Sequence, residues 1–213
     1  MAGLSRPVYW VSRAAVRAFL KLKYRFKSEG AENVPADGGV ILAANHCSYL
    51  DPPVVACAVG RQVNFMARDT LFSNAVARWY FPRVGVIPLD RTRGDFAALK
   101  KAISLLKEGR AVGLFPEGTR SEDGELHEAK GGIGFLIAKG DVPVVPMHIS
   151  GTFDAFPKGA KKLGPGHIVV HIGAPIPPDE LKAVMTSRND YDSVGKLVMA
   201  RIADLAPKAL PGK

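Results

Sequence analysis

Residues 40–53 read Val-Ile-Leu-Ala-Ala-Asn-His-Cys-Ser-Tyr-Leu-Asp-Pro-Pro, an apolar run that ends in a polar loop and two prolines. Five consecutive apolar residues, Val40–Ala44, predict a buried strand, because a strand with one wet face alternates apolar and polar positions. Pro52 and Pro53 suit the first turn of a helix. A strand, a loop and a helix in this order form the first half of a βαβ unit.

The same alternation continues along the chain. Further strands are predicted at Val63–Ala67, Val84–Ile87, Ala111–Phe115, Val142–Ile149 and His167–Ile172. Helices are predicted from Asp95 to Gly109, at Ile133–Lys139, after Pro177-Pro178-Asp179 and at Tyr191–Leu205. With no internal repeat, low-complexity tract or linker in view, we expect residues 29–213 to form one α/β domain, with a mostly parallel or mixed central sheet flanked by helices.

Composition excludes several classes of protein. The chain has 213 residues, of which 47% are hydrophobic and 23% charged, so disorder and collagen-like repeats are excluded. Two cysteines cannot make a disulfide framework and indicate a reducing compartment. The longest uncharged run, Gly38–Leu50, is shorter than the ~20 apolar residues of a membrane-spanning helix, so we expect none.

The net charge of +9 is concentrated in residues 1–28, which carry seven basic residues and no acidic one. The rest of the chain holds 22 basic and 20 acidic residues. A nucleic-acid-binding core is therefore not expected. The basic charge instead bears on which partner residues 1–28 contact.

Residues 1–28 predict an amphipathic helix that begins at Ser5 and Pro7. Seven apolar residues fall on one side of it: Val8, Val11, Ala15, Ala18, Phe19, Leu22 and Phe26. Four basic residues form an i, i+4 ladder on another side, beside Trp10: Arg13, Arg17, Lys21 and Arg25. This pattern is typical of a helix lying in a membrane interface, whereas the charges interrupt any signal-peptide core. The alternative is a helix docked on its own domain.

The loop after the first buried strand carries a candidate general base. His46 precedes Asp51 by five residues, and a turn of that length can bring the carboxylate to the imidazole, where it fixes the tautomer and raises the basicity. Asp51 can also cap the helix that follows, with His46 an ordinary loop residue. Cys47 and Ser48 are rival nucleophiles, although the G-x-S-x-G elbow is absent from the sequence.

Two further strand ends offer groups that bind anions. Arg120 in the loop Phe115–Ser121 can hold a phosphate through two parallel hydrogen bonds, and Glu117 can orient it or accept from a substrate hydroxyl. Arg91 follows another strand, and Lys130 opens a helix whose N-terminal amides favour anions. We prefer the interpretation that these groups form a site for an anionic small molecule over the alternative that they are ordinary charges in three solvated turns. A zinc site at His167 and His171 is not expected, because these histidines lack cysteine partners.

Four ordered blocks together resemble those of the glycerolipid acyltransferase family, and most closely those of the 1-acyl-sn-glycerol-3-phosphate acyltransferases. They are Asn45-His46-x4-Asp51, Gly85–Arg91, Phe115–Ser121 and Val142–Pro146. The likeness covers about Gly30 to Pro175. Two positions depart from the family pattern: Arg68 stands where many relatives have lysine, and Ala129 stands where an aromatic residue usually precedes Lys130.

The resemblance implies roles for the site residues. His46 would deprotonate the acceptor hydroxyl, with Asp51 as its charge partner, and that oxygen would attack an acyl thioester directly. Phosphate and glycerol of the acceptor would be bound by Glu117, Gly118, Thr119, Arg120 and Arg91. Arg68 would polarise the thioester oxygen or contact the phosphate of the donor, and Lys130 would be a further substrate-binding residue.

The implied reaction moves a fatty acyl group from acyl-CoA or acyl-carrier protein to 1-acylglycerol-3-phosphate (lysophosphatidic acid), giving phosphatidic acid, with no metal or other cofactor. The implied location is the cytoplasmic face of the inner membrane, as a peripheral or monotopic protein on an anionic surface. Two alternatives remain: an acyltransferase for another lysophospholipid or a lyso-amino-acid lipid, and a non-catalytic module that binds lipid phosphate. The His46/Asp51 pair disfavours the second, since binding alone needs neither residue.

Overall fold

A computed structural model describes residues 5–89, 96–187 and 189–207. Its sheet has seven strands, in the spatial order β1-β7-β6-β2-β5-β3-β4. They are β1 (Lys27–Glu29), β2 (Val40–Ala44), β3 (Val63–Arg68), β4 (Val86–Leu89), β5 (Ala111–Leu114), β6 (Val144–Ser150) and β7 (Val169–Ile172).

The helices of the described residues are α1 (Ser5–Tyr24), α2 (Asp51–Ala58), α3 (Ala75–Tyr80), α4 (Phe96–Lys107), α5 (Gly131–Gly140), α6 (Thr152–Ala155), α7 (Pro178–Ala183) and α8 (Tyr191–Ala203). Short 3₁₀ turns lie at Ala31–Asn33, Asp69–Phe72 and Phe81–Val84.

The sheet is mixed, as predicted. Neighbouring strands from β6 to β4 are parallel, β7 pairs antiparallel with β6, and β1 pairs parallel with β7. The change of direction arises after β6, where the chain turns through α6 and returns into the sheet from the same edge instead of crossing over. This leaves the carboxyl ends of β2, β3, β4, β5 and β6 at one edge, where sites of open α/β sheets collect.

Helices cover both faces of the sheet, which explains the uninterrupted apolar run of β2. Val40, Leu42 and Ala44 face the cluster formed with α1 and α2. Ile41 and Ala43 face the cluster formed with α4, α5, α7 and α8. Because every residue of β2 is buried, β2 is a rigid support for the loop that follows it.

Helix α1 forms as predicted but docks on the domain through a side that differs from the expected one. Tyr9, Leu20 and Tyr24 are buried against the sheet and α2. Arg13, one of the four residues of the predicted basic ladder, donates to the backbone oxygens of Ala56 (2.9 Å), Cys57 (3.3 Å) and Val59 (2.6 Å). Those carbonyls lie at the end of α2, where an arginine satisfies acceptors that lack intrahelical partners.

The predicted apolar side of α1 is the exposed one. Val11 is 70% and Leu22 87% exposed, on the opposite side of the helix from Tyr9 and Leu20. Phe26, assigned to the same side, instead lies beyond the helix end and is 5% exposed. Helix α1 therefore has two apolar sides, one docked and one uncovered. Within the described residues, each helix is too short or too polar to cross a bilayer.

Several boundaries differ from the sequence-based prediction. Strand β4 begins at Val86 rather than Val84, because residues 81–84 form a 3₁₀ turn. The predicted division between residues 28 and 29 falls within β1, which pairs with β7. Asp95, the expected cap of α4, lies outside the described residues.

Candidate active site

The candidate site lies at the carboxyl edge of the sheet, between the loops that follow β2 and β5. These two strands are adjacent and parallel, with Ala43 paired to Leu114, so His46 and Phe115 leave the sheet side by side. Arg68 ends β3 at the same edge. The register of three parallel strands thus brings together residues that are far apart in the sequence.

His46 and Asp51 form the predicted pair. Asp51 Oδ2 lies 2.7 Å from His46 Nδ1 and also accepts the backbone N–H groups of Cys47 (2.7 Å) and Ser48 (2.7 Å). Asp51 is fully buried at the start of α2, whereas the His46 side chain is 17% exposed. Since a carboxylate only accepts hydrogen bonds, Nδ1 carries the proton and Nε2 is left as the basic nitrogen.

The backbone of His46 is held on both sides by the loop after β5. Its N–H donates to Glu117 Oε1 (2.9 Å), and its carbonyl oxygen accepts from the Ser121 N–H (2.7 Å). The imidazole ring also stacks on Phe115, with ring centroids 4.0 Å apart and an angle of 16° between the planes. Position, tautomer and ring plane of His46 are therefore all constrained before any substrate binds.

Glu117 is almost completely buried beneath His46. Burial raises the pKa of its carboxyl to about 7, although backbone N–H groups of His46 and His127 act in the opposite direction. Its main contact is with the backbone of the base, so the structure places Glu117 under the site rather than at its surface.

The rival nucleophiles are poorly placed for covalent chemistry. Burial, with the nearby carboxylates of Asp51 and Glu117, raises the pKa of the Cys47 thiol to about 12, which leaves almost no thiolate at neutral pH. Ser48 is buried, and its hydroxyl donates to the Phe156 backbone oxygen (2.6 Å) and accepts from the Leu50 N–H (3.0 Å). His46 has neither side chain in its hydrogen-bond contacts among the described residues, so the geometry favours the imidazole as the reacting group.

Arg120 directly precedes Ser121, whose N–H donates to the His46 carbonyl oxygen, and we call this end of the loop the mouth of the site. Its Cζ atom is 3.4 Å from the centroid of the Tyr49 ring, which fixes the plane of the guanidinium. Its Nη1 atom is buried without a hydrogen-bond acceptor among the described residues. A buried cationic donor without an acceptor is suited to an anionic ligand.

The remaining predicted ligands lie around this mouth or outside the described residues. Gly118 has φ +64°, a left-handed conformation that favours glycine, and Lys130 packs across it, so that a Cβ there would stand 3.0 Å from Lys130 Cδ. Thr119 and Lys130 are exposed beside Gly118, and Arg68 is exposed at the end of β3. Arg91 lies outside the described residues.

Two residues make positioning contacts that were not predicted from the sequence. The Asn45 side chain exchanges two hydrogen bonds with the backbone of Ile149 (2.9 and 2.7 Å), which ties the start of the His46 loop to β6. Ser121 Oγ donates to Asp123 and accepts from the Gly124 N–H, which closes the turn that holds His46. In the sequence, the position of Asn45 directly after a buried strand suggests that its amide group could bind backbone. It does not indicate which strand the amide would bind.

Potential metal ligands do not cluster in groups of three or more anywhere in the described ranges. The residues that converge at this edge are instead one base, one carboxylate partner and cationic donors. They can deprotonate a hydroxyl and hold an anion beside it.

Comparison with known proteins identifies the family. A family model described as Acyltransferase matches residues 25–150. The chloroplastic 1-acyl-sn-glycerol-3-phosphate acyltransferase of Arabidopsis thaliana is 36% identical over 157 residues, covering 72% of this chain and 44% of the relative. The 1-acyl-sn-glycerol-3-phosphate acyltransferase of Bacillus subtilis is 34% identical over 180 residues, covering 81% and 88%.

A solved structure agrees with these matches. The crystal structure of the 1-acyl-sn-glycerophosphate acyltransferase PlsC from Thermotoga maritima superposes with a TM-score of 0.76 at 29% identity, covering 100% of this chain and 86% of the other. The chain therefore belongs to the acyltransferase family. It spans less than half the length of the plant relatives and most of the length of the Bacillus subtilis one.

Proposed function

We propose that the protein is a 1-acylglycerol-3-phosphate O-acyltransferase. The observation that carries the proposal is the His46–Asp51 pair, in which Nε2 is left as the basic nitrogen at the carboxyl edge of the sheet. Arg120 lies in the loop whose Ser121 N–H holds the His46 backbone. The named relatives support the choice of acceptor, since each of the three described above is named for acylating a glycerol phosphate lipid.

In the proposed mechanism, His46 Nε2 takes the proton of the acceptor's free hydroxyl as that oxygen attacks the thioester carbonyl carbon. The C–O bond forms, the C–S bond breaks, and the proton passes from His46 to the leaving thiolate. Asp51 holds the tautomer and stabilises the imidazolium that forms transiently. A general base of this kind contributes typically ~10²–10⁴ in rate.

The acceptor's phosphate is assigned to Arg120, with Thr119 and the backbone of Gly118 beside it. Arg91 and Lys130 are proposed as further phosphate contacts, and Arg68 as a contact of the donor thioester or its phosphates. The acyl donor is acyl-CoA or acyl-carrier protein, with no other cofactor. Glu117 is proposed to act through His46 and the loop rather than by direct contact with the phosphate.

We also propose that the protein works on a membrane surface, because its acceptor and product are lipids. The exposed side of α1, with Val11, Phe19 and Leu22, would enter the interface, while Lys21 and Lys23 would meet anionic headgroups. The cytoplasmic face of the inner membrane is proposed because both candidate thioester donors are made in that compartment and both cysteines are free thiols.

A donor-by-acceptor activity matrix with purified protein in mixed micelles tests this function. Acyl-CoA and acyl-carrier-protein donors are crossed with lysophosphatidic acid, other lysophospholipids and a lyso-amino-acid lipid. The proposal requires the largest kcat/KM with lysophosphatidic acid, and a loss of ~10²–10⁴ in rate when His46 is replaced by alanine. Highest activity with another acceptor would support the alternative of an acyltransferase for another lysophospholipid or a lyso-amino-acid lipid. Binding without turnover would support a lipid-phosphate binding module.

A further inference from the structure

Beside α1, a second group of apolar side chains is exposed on the segment between β3 and β4. Leu71 is 40%, Val76 75% and Trp79 53% exposed, although each is large and apolar. Leu71 lies in the 3₁₀ turn after β3, and Val76 and Trp79 lie on α3. Three such side chains within nine residues are more than the scattered apolar exposure of an ordinary surface.

The segment that carries this group packs near α1. The 3₁₀ turn Phe81–Val84 packs against α1, and α3 packs against that turn. The Tyr9 hydroxyl accepts the Val63 N–H (3.1 Å), which fixes the first turns of α1 at the β3–β4 end of the sheet. The uncovered side of α1 and the exposed residues of α3 therefore belong to neighbouring parts of the molecule.

The charge of the segment identifies the kind of partner. Residues 69–85 contain two arginines and one carboxylate, Asp69, so the segment carries a net positive charge. Arg83 lies 4.5 Å above the Trp79 ring and donates to the Trp79 backbone oxygen. A tryptophan paired with arginine beside exposed aliphatic side chains suits the boundary between lipid headgroups and acyl chains, where one end of the group is apolar and the other is wet.

We propose that Leu71, Val76 and Trp79 form a second contact with an anionic lipid bilayer, in addition to that of α1. Two contacts on separate elements restrict the tilt of the molecule on the membrane more than one helix can. Leu71 follows Arg68, which ends β3 at the edge that carries His46. The second contact thus brings this edge of the sheet against the lipid, so a lipid acceptor reaches His46 without leaving the bilayer. This inference rests on the proposed function.

The two tryptophans of the chain, Trp10 and Trp79, give a direct test. A Trp10→Phe variant leaves Trp79 as the single probe, and its fluorescence is measured with phosphatidylglycerol/phosphatidylcholine vesicles brominated on the acyl chains. Co-sedimentation with the same vesicles measures binding separately. We expect bound protein to show a blue-shifted, bromine-quenched Trp79. Bound protein with unquenched Trp79 would overturn the second contact and leave the α1 contact intact, whereas absence of binding would contradict the membrane proposal as a whole.

A matched pair of charge substitutions tests the same contact without fluorescence. Val76→Glu places one negative charge on α3, and Ala183→Glu places one on α7, which packs on the other face of the sheet. Both positions are exposed, so both variants should fold. We expect Val76→Glu to lower vesicle partitioning about tenfold and to slow turnover of a bilayer acceptor, with little change toward a short-chain soluble acceptor. Equal partitioning of the two variants would contradict the proposal.

Discussion

His46 is the residue on which the proposed chemistry depends, and its neighbour Cys47 provides a built-in control. Replacing His46 with alanine should reduce kcat by ~10²–10⁴, because the general base is lost and no other described side chain takes its place at Asp51. Cys47→Ala should retain nearly full activity, since its thiol is protonated at neutral pH. Initial rates and circular dichroism of both variants check this. A Cys47→Ala protein that folds but does not turn over would revive the covalent mechanism.

Arg120 should act on the acceptor rather than on the donor. Arg120→Ala removes a half-buried guanidinium that stacks over the Tyr49 ring. The loss of a charge-assisted bidentate contact should cost on the order of 2–3 kcal/mol, or roughly 30–150-fold in acceptor KM, with little change in donor KM. Arg120→Lys should recover only part, because an ammonium lacks the planar fork. Equal increases in both KM values would contradict the assignment.

Glu117 should make stability depend on pH in an unusual direction for a carboxyl group. The pKa of Glu117 is about 7 in the folded protein, against 4.5 for the ordinary group. Between these values the folded state holds a proton that the unfolded state has lost, so stability falls as pH rises. Relative to Glu117→Gln, the wild-type free energy of unfolding should therefore decrease by on the order of 2–3 kcal/mol from pH 4 to pH 8.

Urea denaturation of both proteins across that range measures the difference. Glutamine keeps an oxygen that can accept the His46 N–H, so the variant isolates the ionisation from the hydrogen bond. If the two free energies ran parallel with pH, the carboxyl would not be the cause.

At the scale of elements, Arg13 joins α1 to α2, the helix that begins with Asp51. Its guanidinium caps α2 through three carbonyl oxygens. Arg13→Met should lower the free energy of unfolding by about 2–3 kcal/mol, since buried acceptors lose a charged donor. Lys21→Met, at an exposed position of the same helix, should change it by less than about 0.5 kcal/mol. Thermal denaturation of both variants measures this, and equal effects would show that the capping contact contributes little.

The sequence allowed most elements to be predicted, because long apolar runs and turn residues mark them locally. Strand β2 has the predicted bounds, and the His46–Asp51 pair forms as expected. The side on which α1 docks could not be deduced, because the helix carries two apolar stripes and its periodicity does not say which one the domain covers. Strand β1 escaped prediction because Lys-Ser-Glu has no apolar pattern and is specified only by its pairing with β7.

The reacting groups of the site could be predicted from the sequence, but the contacts that hold them in position could not. Residue types and spacing indicated a base with a carboxylate and a cationic loop. The clamp of Glu117 and Ser121 on the backbone of His46 depends on β2 and β5 being adjacent, which is a property of the sheet order and not of either loop. Sequence order alone separates these two loops by 71 residues.

At the scale of the whole molecule, the exposed side of α1 should determine membrane binding without contributing to the fold. Val11→Asp combined with Leu22→Asp should abolish most vesicle binding and leave the thermal midpoint almost unchanged, because both side chains are exposed. Binding of the wild type should decline only partly in high salt, since its apolar contribution is not screened. Vesicle co-sedimentation at two salt concentrations measures both effects.

Ala183→Asp combined with Ala203→Asp makes the same charge change on α7 and α8 and provides the control. If this pair reduced binding as much, general electrostatic repulsion would explain the result. Deletion of residues 1–29 is a less specific test, because it also removes Leu20 and Tyr24 from the core and β1 from the sheet.

The pairing of β1 with β7 also determines the order in which the protein can assemble during synthesis. Lys27–Glu29 pair with Val169–His171, so the partner of β1 is translated about 140 residues later. Until α2 and β3 have been made, both apolar sides of α1 are uncovered, and the side with Val11 and Leu22 remains exposed even in the finished fold. A nascent chain in this state can bind a nearby bilayer before its own sheet is complete. We expect the helix to reach the membrane first and the catalytic sheet to fold against it there.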